Sequence, residues 1–309
     1  MENSKEKIYD VIIVGAGPAG LTAAIYSQRA GLSSLVVESG AVGGQVAISS
    51  LIENYPSNEK ISGWELAESM RHHAVSCGAK IMSASVVGAN KSGHGFEVQT
   101  NKDKLHARAL IIANGVKRRL LGCDGEAAFT GKGVSYCATC DGMFFRNKTV
   151  AVVGGGDTAA QDAIYLSNIC EKVSIIVRKS AMRCKKSLLD ACNRISNIDI
   201  LYNTEVLSVN GDIRVKNITL TCGGENSSLD VDGIFVAIGL SPDNTRFADA
   251  GLVALDRDGY IDAGEDCITS TVGVFAAGDT RRKKLRQIVT AAADGAVAAE
   301  QAAKFLSEQ

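Results

Sequence analysis

Short runs rich in β-branched residues alternate with longer amphipathic helical patterns along this chain. In two places a strand pattern, a glycine-rich turn, a helical pattern and a second strand pattern follow one another, and this alternation is typical of right-handed βαβ units with parallel strands. The sequence therefore predicts an α/β fold with two Rossmann-like nucleotide-binding units, not a repeat array. The patterns are, in chain order, "YDVIIV" (9–14), "PAGLTAAIYSQRA" (18–30), "SSLVVE" (33–38), "TVAVV" (149–153), "DTAAQDAIYLSN" (157–168) and "VSIIV" (173–177).

Composition narrows the class of protein. The 309 residues are enough for roughly two domains, and 46% hydrophobic with 22% charged residues is typical of a soluble globular protein. A net charge of −1 gives no reason to expect binding to nucleic acid or to an acidic membrane. The polar start does not resemble a signal peptide, and the apolar run 11–26 is short for a membrane span and is interrupted by glycines and Pro18. Nine cysteines, mostly far apart, fit a reducing cytoplasm, where we expect the protein to lie.

A basic run, Arg281–Lys284, lies near the C-terminus. Such a run is interpreted first as a solvated face, and docking of an acidic partner is the alternative.

The first glycine turn, Gly15–Gly20, directly follows a strand pattern, and Glu38 closes the next strand 18 residues after Gly20. In a dinucleotide-binding turn the first glycine allows the tight bend, the second lets the backbone approach a pyrophosphate, and the third lets the helix pack on the strand. The terminal acid then accepts hydrogen bonds from a ribose. Strand, turn, helix and acid together favour a dinucleotide site, and a turn without ligand is the alternative.

The second turn, Gly154–Ala159, fits the same pattern, but its second strand ends in Arg178 and Lys179, with Arg183 nearby. An acid at this point favours a free ribose hydroxyl, whereas basic side chains accommodate a 2′-phosphate. The second unit is therefore predicted to bind NADPH, with a solvated basic loop as the alternative.

The stretch "YCATCDG" (136–142) contains Cys137 and Cys140 in CxxC spacing. Structural zinc sites usually need a second such pair, and the other cysteines form none, so no metal is expected. A structural disulfide across two residues removes little entropy from the unfolded chain, and a cytosol tends to reduce it. A redox-active dithiol fits best, because CxxC spacing allows a labile ring with tunable thiols.

Seven motifs in order make the chain resemble the low-molecular-weight thioredoxin reductases, which are flavoproteins of the pyridine nucleotide–disulfide oxidoreductase group. The resemblance extends over nearly the whole chain. The motifs are Gly15–Gly20, "GGQ" (43–45), "ENYP" (53–56), "YCATCDG" (136–142), "GGGDTA" (154–159), "AIG" (237–239) and "GVFAAGDT" (273–280) with "LRQ" (285–287).

The resemblance implies FAD on the first unit and NADPH on the second. It implies that the FAD domain is split, with residues 1–117 joined by 245–309, and that the NADPH domain, 118–244, is inserted and carries the CxxC. "GVFAAGD" would be a final strand of the flavin sheet, and a helix from Arg286 would point its N-terminus at the isoalloxazine ring. The family also implies a homodimer and a rotation of the inserted domain, with hinges near 116–120 and 243–246.

The residues expected to bind each cofactor follow from matching positions. Those expected at FAD are Gly15, Gly17, Pro18, Ala19, Gly20, Glu38, Ser39, Gly43, Gly44, Gln45, Ser50, Asn54, Val87, Ala113, Gly115, Gly278, Asp279, Arg286, Gln287 and Ile288. Those expected at NADPH are Gly154, Gly155, Gly156, Asp157, Thr158, Arg178, Lys179, Arg183, Ile238 and Gly239.

Three stretches depart from the family pattern. Ala-Thr-Gly is Ala-Asn-Gly at 113–115, His-Arg-Arg-Asp is Val-Arg-Lys-Ser at 177–180, and Gly-His-x-Pro-Asn is Gly-Leu-Ser-Pro-Asp-Asn at 239–244. Some relatives that lose the last two motifs take electrons from ferredoxin. A ferredoxin-dependent reductase, a dithiol oxidase and a flavin redox sensor without turnover are therefore the alternatives.

The function that the resemblance implies is thioredoxin-disulfide reduction. Electrons would pass from NADPH through FAD to the Cys137–Cys140 pair and on to thioredoxin or a thioredoxin-like protein. Cys140 would lie near the flavin and Cys137 would attack the partner. Asp141 would serve as general acid and base, with a turn-forming Asp before Gly142 as the alternative.

Overall fold

The structure is a computed structural model that describes residues 7–49, 51–93 and 95–309. The chain divides into two compact units: unit 1 is Met1–Lys117 with Ser241–Gln309, and unit 2 is Arg118–Leu240. The sequence placed 241–244 in the inserted domain, whereas the structure places them in unit 1. The reason is Asn244, which is buried and donates hydrogen bonds from its side chain to the carbonyls of Gly259 and Thr280, both at 3.1 Å.

The N-terminal part of unit 1 alternates strands and helices and ends at the first crossing into unit 2. The helix α2 begins with a capping box between Ser62 and Glu65. The elements are β1 (Ile8–Val14), α1 (Pro18–Arg29), β2 (Ser34–Glu38), a 3₁₀ turn (Gly44–Val46), α2 (Gly63–Ser76), β3 (Lys80–Ser83), β4 (Val86–Ser92), β5 (Gly95–Thr100), β6 (Lys104–Ile112) and β7 (Val116–Arg118).

Unit 2 follows, and the chain then returns to unit 1 through β16. The elements up to that return are α3 (Glu126–Phe129), β8 (Val134–Ser135), α4 (Ala138–Asp141), a 3₁₀ turn (Gly142–Phe145), β9 (Thr149–Val153), α5 (Asp157–Ser167), β10 (Lys172–Val177), α6 (Lys186–Arg194), β11 (Ile198–Tyr202), β12 (Thr204–Gly211), β13 (Val215–Cys222), β14 (Glu225–Asp230), β15 (Gly233–Val236) and β16 (Leu240–Pro242). The elements after it are α7 (Thr245–Asp249), β17 (Val274–Ala276), a 3₁₀ turn (Gly278–Thr280) and α8 (Ile288–Ser307).

Within the described residues, the main sheet of unit 1 has the order β3-β2-β1-β6-β5-β4, and β17 also pairs with β6. The strands β3, β2, β1, β6 and β17 are parallel, whereas β4 and β5 form an antiparallel extension. Helices α1 and α8 pack against each other so closely that a Cβ on Gly295 would collide with the Ala19 carbonyl. The carboxyl ends of β1, β2, β6 and β17 therefore meet at one edge, where open α/β sheets bind ligands.

Unit 2 contains a parallel sheet of order β11-β10-β9-β15-β8 and an antiparallel sheet of order β12-β13-β14. Val150 and Val152 in the interior of β9 are fully buried, and each of these side chains contributes about 1.5–3 kcal/mol to folding. Helix α5 packs on this sheet from the turn that follows β9.

The α/β class is confirmed, and the six elements predicted from periodicity begin and end within one residue of their observed bounds. The last helix begins later than predicted. Gln287 has extended backbone and exchanges capping hydrogen bonds with Thr290, so α8 starts at Ile288 and not at Arg286. In the described part of the chain, no helix is long and apolar enough to cross a bilayer.

Candidate active site

In the first glycine turn, two glycines are needed for close packing of the backbone and one glycine borders open space. Gly15 has φ +102°, and a Cβ there would collide with the Ala113 carbonyl at the end of β6. A Cβ on Gly20 would collide with the Gly15 carbonyl, whereas one on Gly17 would meet no described atom within 4 Å. Gly15 and Gly20 therefore hold the turn together, and Gly17 leaves the start of α1 open to a ligand.

Glu38 lies at the end of β2 and ties the turn to its own loop. Its Oε2 accepts a hydrogen bond from Ala16 N at 2.6 Å, and its Oε1 accepts one from Gly40 N at 2.7 Å. The carboxylate also borders a cavity of about 210 Å³ that Gly15, Ser39 and Gly115 help to line. Because a carboxylate accepts more than two hydrogen bonds, Glu38 has acceptor capacity left for a ribose.

Val87 was expected at FAD, and the structure places its neighbour Val86 against the cavity beside Glu38. Val86 is 4% exposed and lines the cavity beside Glu38, whereas the side chain of Val87 is 51% exposed. Successive side chains of a strand point to opposite faces, so only one of the two can face this cavity. Ser50, another expected FAD residue, lies outside the described residues.

The "GGQ" segment approaches the first turn. Gly43 N donates to Ala16 O at 2.8 Å, and a Cβ on Gly44 would lie 3.5 Å from Gly17 Cα. Gln45 follows Gly44 in the same 3₁₀ turn. All three residues of this segment, which were expected at FAD, therefore lie beside the first glycine turn.

The "ENYP" segment approaches the start of α8. Asn54 Nδ2 donates to Oε1 of Gln287 at 3.0 Å, and Ile288 is the first residue of the helix. Two sequence-distant motifs that were both expected at FAD are thus joined by a direct hydrogen bond.

Asp279 follows β17 and faces the same edge of the sheet. A Cβ on Gly278 would lie 2.8 Å from Ala19 Cβ, so this segment is packed against the start of α1. Asp279 Oδ1 is buried and has no hydrogen-bond partner among the described residues. Burial raises the pKa of Asp279, while the charges of Lys283 and Arg286 oppose that rise. A buried carboxylate oxygen without a donor is costly, and the hydroxyl of a bound FAD would satisfy it, so the residues present fit that cofactor.

Arg286 is held in place rather than left free in solvent. Its guanidinium carbon lies 4.1 Å from the centre of the Tyr260 ring, a cation–π geometry. Its Nε also lies 3.4 Å from the carbonyl oxygen of Asp279.

The second glycine turn opens into a cavity of about 460 Å³ within unit 2. Gly154 has φ +153°, and a Cβ there would collide with the Ala237 carbonyl, whereas a Cβ on Gly156 would meet no described atom within 4 Å. Gly154 therefore corresponds to the closely packed Gly15 of the first turn, and Gly156 corresponds to the open Gly17. The lining includes the expected residues Gly154, Gly155, Gly156, Thr158, Arg178, Lys179, Arg183, Ile238 and Gly239.

The cavity is strongly cationic. Arg178, Lys179 and Arg183 line it, as expected, and Arg119 does so as well. Among the described residues, none of these cations has an acidic partner within ion-pair distance, and the lining described includes a single carboxylate, Glu205. Unpaired cations beside an open glycine turn suit a ligand with several phosphate charges, so the residues fit NADPH.

Asp157 has a different position from the one expected. It begins α5, but its carboxylate accepts a hydrogen bond from Lys185 N at 2.8 Å and lies 3.8 Å from Lys185 Nζ. Asp157 therefore fixes the loop that carries Arg183 and does not line the cavity.

Cys137 and Cys140 form a disulfide in unit 2, with Cα atoms 5.3 Å apart. Cys137 precedes α4 and is half-buried, and Cys140 is exposed. The assignment of Cys137 as the attacking thiol stays a prediction. No cluster of three or more potential metal ligands occurs in the described part of the chain.

The remaining cysteines are free, and burial suppresses the reactivity of several. Burial raises the pKa of Cys170 to about 11 and that of Cys267 to about 12, so both stay as neutral thiols near pH 7. The free cysteines described are Cys77, Cys123, Cys170, Cys184, Cys192, Cys222 and Cys267.

Asp141 lies in the last turn of α4, close to the disulfide in sequence and in hydrogen bonding. Its Oδ2 accepts a hydrogen bond from Ser135 Oγ at 2.6 Å, and Ser135 Oγ in turn accepts one from Cys137 N at 3.2 Å. Burial raises the pKa of Asp141, and the Ser135 hydrogen bond and the Arg118 charge oppose that rise. A raised pKa makes this carboxyl group a better match to a thiol as a partner for proton exchange.

Comparison with known proteins agrees with this geometry. A family profile described as pyridine nucleotide-disulphide oxidoreductase matches residues 9–295. The thioredoxin reductase of Listeria monocytogenes serovar 1/2a is 41% identical over 309 residues, which cover 99% of this chain and 96% of that protein.

The chain belongs to the pyridine nucleotide-disulphide oxidoreductase family.

Further members of this family show the same likeness. The thioredoxin reductase of Bacillus subtilis (strain 168) is 41% identical over 308 residues, covering 99% of this chain and 97% of that protein. The crystal structure of thioredoxin reductase from Streptococcus pyogenes MGAS5005 matches with a TM-score of 0.93 and 38% identity, covering 98% of this chain and 99% of that one. The resemblance drawn from the seven motifs is confirmed, as is the fold with two dinucleotide-binding domains.

Two departures from the family pattern have structural explanations. Asn114 Nδ2 donates to Asp243 O at 3.0 Å, so the asparagine links the end of β6 to the segment before α7. Val177 is 2% exposed and lies 3.2 Å from where a Cβ on Gly155 would be, so it packs beneath the second turn. Nothing in the structure explains Ser180, which stands where the family pattern has Asp.

Sequence reasoning missed Arg119 and Ser135. Arg119 follows the crossing strand β7 and carries no motif of its own, and only the three-dimensional cavity groups it with Arg178. Ser135 lies one residue before "YCATCDG", and a lone serine in a strand pattern has no signal that separates it from an ordinary buried hydroxyl.

Proposed function

We propose that this protein reduces the disulfide of thioredoxin or a thioredoxin-like protein, with NADPH as electron donor and FAD as the intermediate carrier. The observation that carries the proposal is the combination, within unit 2, of the Cys137–Cys140 disulfide and a cation-lined dinucleotide cavity. A flavin sensor without turnover needs no such combination.

The chain's own residues hold the two cofactors at separate glycine turns. Gly17, Glu38 and Asp279 bind FAD on unit 1, and Gly156 with Arg178 binds NADPH on unit 2. When bound, NADPH would supply a hydride and FAD would supply the two-electron redox centre between that hydride and the disulfide.

The disulfide then carries the electrons to the partner protein. Two electrons break the S–S bond, and the two sulfurs take up two protons, one of them from Asp141 and one from solvent. Cys137 returns its proton to Asp141, and the resulting thiolate attacks the partner disulfide, which forms a mixed disulfide and releases one partner thiolate. Cys140 then attacks Cys137 Sγ, which restores the internal disulfide and releases the partner as a dithiol.

NADPH is preferred over NADH because of the charge at the second turn. A 2′-phosphate adds negative charge that Arg178, Lys179 and Arg183 can neutralise, whereas the hydroxyl of NADH cannot use it.

The proposed reaction requires unit 2 to move relative to unit 1. The disulfide and the nicotinamide site both lie on unit 2, and each must reach a flavin held by unit 1. We therefore place the hinges at the two crossings, 117–118 and 240–241, each a single stretch of backbone. The protein acts in the cytoplasm as a homodimer.

A steady-state assay tests this function. Purified protein loaded with FAD is given NADPH and oxidised thioredoxin, and new thioredoxin thiols are counted, with NADH and reduced ferredoxin as alternative donors. Thiol formation with NADPH is expected. Turnover with ferredoxin alone would establish the ferredoxin-dependent alternative, and oxygen consumption without thioredoxin reduction would establish a dithiol oxidase.

A further inference from the structure

A single hydroxyl joins the Asp141 carboxyl group to the backbone of Cys137. Ser135 ends β8 and is 4% exposed. Its Oγ donates to Asp141 Oδ2 at 2.6 Å and accepts from Cys137 N at 3.2 Å. The carbonyl oxygen of Cys137 lies 3.4 Å from the same hydroxyl, but the proton goes to the shorter, charge-assisted bond. The carboxyl group is therefore fixed relative to the first cysteine of the disulfide.

A cation on β7 faces this carboxyl group. The charge of Arg118 favours the ionised form of Asp141, although burial lowers the pKa of Arg118 itself. Its guanidinium carbon lies 5.1 Å from the centre of the Tyr136 ring, and Tyr136 Oη donates to Glu126 Oε1 at 2.9 Å. These contacts hold the cation in place.

The other carboxyl groups near Asp141 either accept hydrogen bonds from other residues or lie on helix α5. Glu126 also accepts hydrogen bonds from Leu121 N and Gly122 N, both at 2.8 Å. Helix α5 packs against α4 and carries Asp157, which pairs with Lys185, and Asp162, for which burial raises the pKa to about 6.

We propose that Ser135 is a positioning residue for the disulfide chemistry, holding the Asp141 carboxyl group where it exchanges a proton with the sulfur of Cys137. This inference rests on the proposed function, because it gives that carboxyl group its task. When the S–S bond breaks, Asp141 gives its proton to the Cys137 thiolate and is left as the carboxylate. When Cys137 attacks a partner disulfide, its proton returns to the Asp141 carboxylate.

The direction of the effect follows from the hydrogen bond. Ser135 donates to the charged form of Asp141 and so stabilises the carboxylate against the cost of burial. Without that donor, the pKa of Asp141 rises further and the carboxyl group is free to turn away from Cys137. The loss of one hydrogen bond to a charged group shifts the pKa of that group by about one unit or more.

The test uses three variants of the FAD-loaded protein: Ser135→Ala, Ser135→Thr and Ser135→Val. The threonine and valine side chains are equal in size to each other. Threonine keeps the hydroxyl and valine removes it, so this pair isolates the hydrogen bond even if alanine disturbs folding. Ser174→Ala, which removes a similarly buried hydroxyl from β10, is the control. The pKa of Asp141 is measured from the ¹³C carboxyl signal that disappears in Asp141→Asn.

The second readout is the rate at which dithiothreitol opens the Cys137–Cys140 disulfide, followed by alkylation of the new thiols. This reaction needs no thioredoxin and no nucleotide: dithiothreitol supplies both electrons and becomes a cyclic disulfide. We expect Ser135→Val to raise the pKa of Asp141 by about one pH unit and to slow opening about tenfold or more, with Ser135→Thr and Ser174→Ala unchanged.

Equal pKa values and equal opening rates in the threonine and valine variants would overturn the proposal. A raised pKa with an unchanged opening rate would also overturn it, because the carboxyl group would then have no part in the chemistry. Failure of the wild-type protein to reduce thioredoxin would refute the proposed function instead, and both readouts on Ser135 would still decide its role.

Discussion

The guanidinium of Arg281 makes two hydrogen bonds, both of 2.8 Å, to the carboxylate of Asp294 in the interior of unit 1. Lys283 Nζ also lies 2.8 Å from Asp294 Oδ2, and Gly278 N donates to the same oxygen at 2.9 Å. Arg281 is only 1% exposed. Burial raises the pKa of Asp294, but the hydrogen bonds from Arg281 and Lys283 outweigh burial and lower it. A buried carboxylate thus anchors the backbone that presents Asp279.

Asp294→Asn is expected to destabilise unit 1 by about 3–5 kcal/mol, because it leaves the buried Lys283 without its ion-pair partner and Arg281 with only the exposed Glu265. The free energy of unfolding, measured in urea, reports this loss. Asp249→Asn changes an exposed carboxylate at the end of α7 and serves as the control.

The ion pair between Asp294 and Arg281 also predicts how the free energy of unfolding depends on pH. Because the folded-state pKa of Asp294 is lowered, its contribution to stability is present above the ordinary carboxyl pKa and is lost as the pH falls through the lowered value. The stability gap between wild-type protein and Asp294→Asn should therefore narrow as the pH falls below about 4. A gap that stays constant down to the acid unfolding transition would show that the lost charge is not the cause.

This cluster also shows where sequence reasoning fails. The run Arg281–Lys284 was predicted to be a solvated face, yet Arg281 and Lys283 point inward to Asp294. Their partner lies on the next helix, and charge patterning along the sequence does not reveal which cations find a buried acid. The glycine turns and their strands were predictable because backbone sterics act within a few residues. Arg119 and Asn244 depend on contacts between distant segments, and no local pattern encodes those contacts. Ser135 contacts residues only two and six positions away, but a lone serine in a strand pattern does not reveal such contacts.

Removal of Arg178 tests the nucleotide preference. A charge-assisted hydrogen bond is worth about 1.5–3 kcal/mol, so Arg178→Ala should lower kcat/KM for NADPH about tenfold or more while changing that for NADH little. Arg194→Ala removes an exposed arginine at the end of α6, outside the cavity, and is the matched control. Equal use of both nucleotides by the unaltered protein would contradict the assignment.

The unsatisfied oxygen of Asp279 predicts its contribution to FAD binding. Asp279→Ala should weaken FAD binding about tenfold or more, because it removes the buried carboxylate oxygen that has no hydrogen-bond partner among the described residues. The affinity is measured by titrating the apoprotein with FAD and following flavin fluorescence. An affinity equal to that of Asp249→Ala would show that Asp279 makes no contact with the cofactor.

The two cysteines should behave differently when replaced singly. Both Cys137→Ser and Cys140→Ser should lose thioredoxin reduction while retaining FAD and NADPH-driven flavin reduction. If Cys140 is the thiol near the flavin, as we propose, Cys137→Ser should leave it as a lone thiolate that alters the absorption spectrum of the oxidised flavin. Cys140→Ser leaves Cys137 without its resolving partner and should trap thioredoxin as a mixed disulfide.

The outcome separates the possible roles. Trapping by Cys137→Ser would reverse the two assignments. Equal losses of stability in both variants, without selective loss of activity, would mean that the disulfide is structural.

Anaerobic titration with NADPH tests the central claim most directly. The FAD-loaded protein receives NADPH in steps while the flavin spectrum is recorded, and oxidised thioredoxin is then added. Our account predicts that NADPH bleaches the flavin absorption rapidly, and that thioredoxin restores it as thioredoxin thiols appear in equal number to the electrons supplied. Flavin that NADPH does not bleach, or bleached flavin that thioredoxin does not reoxidise, would contradict it.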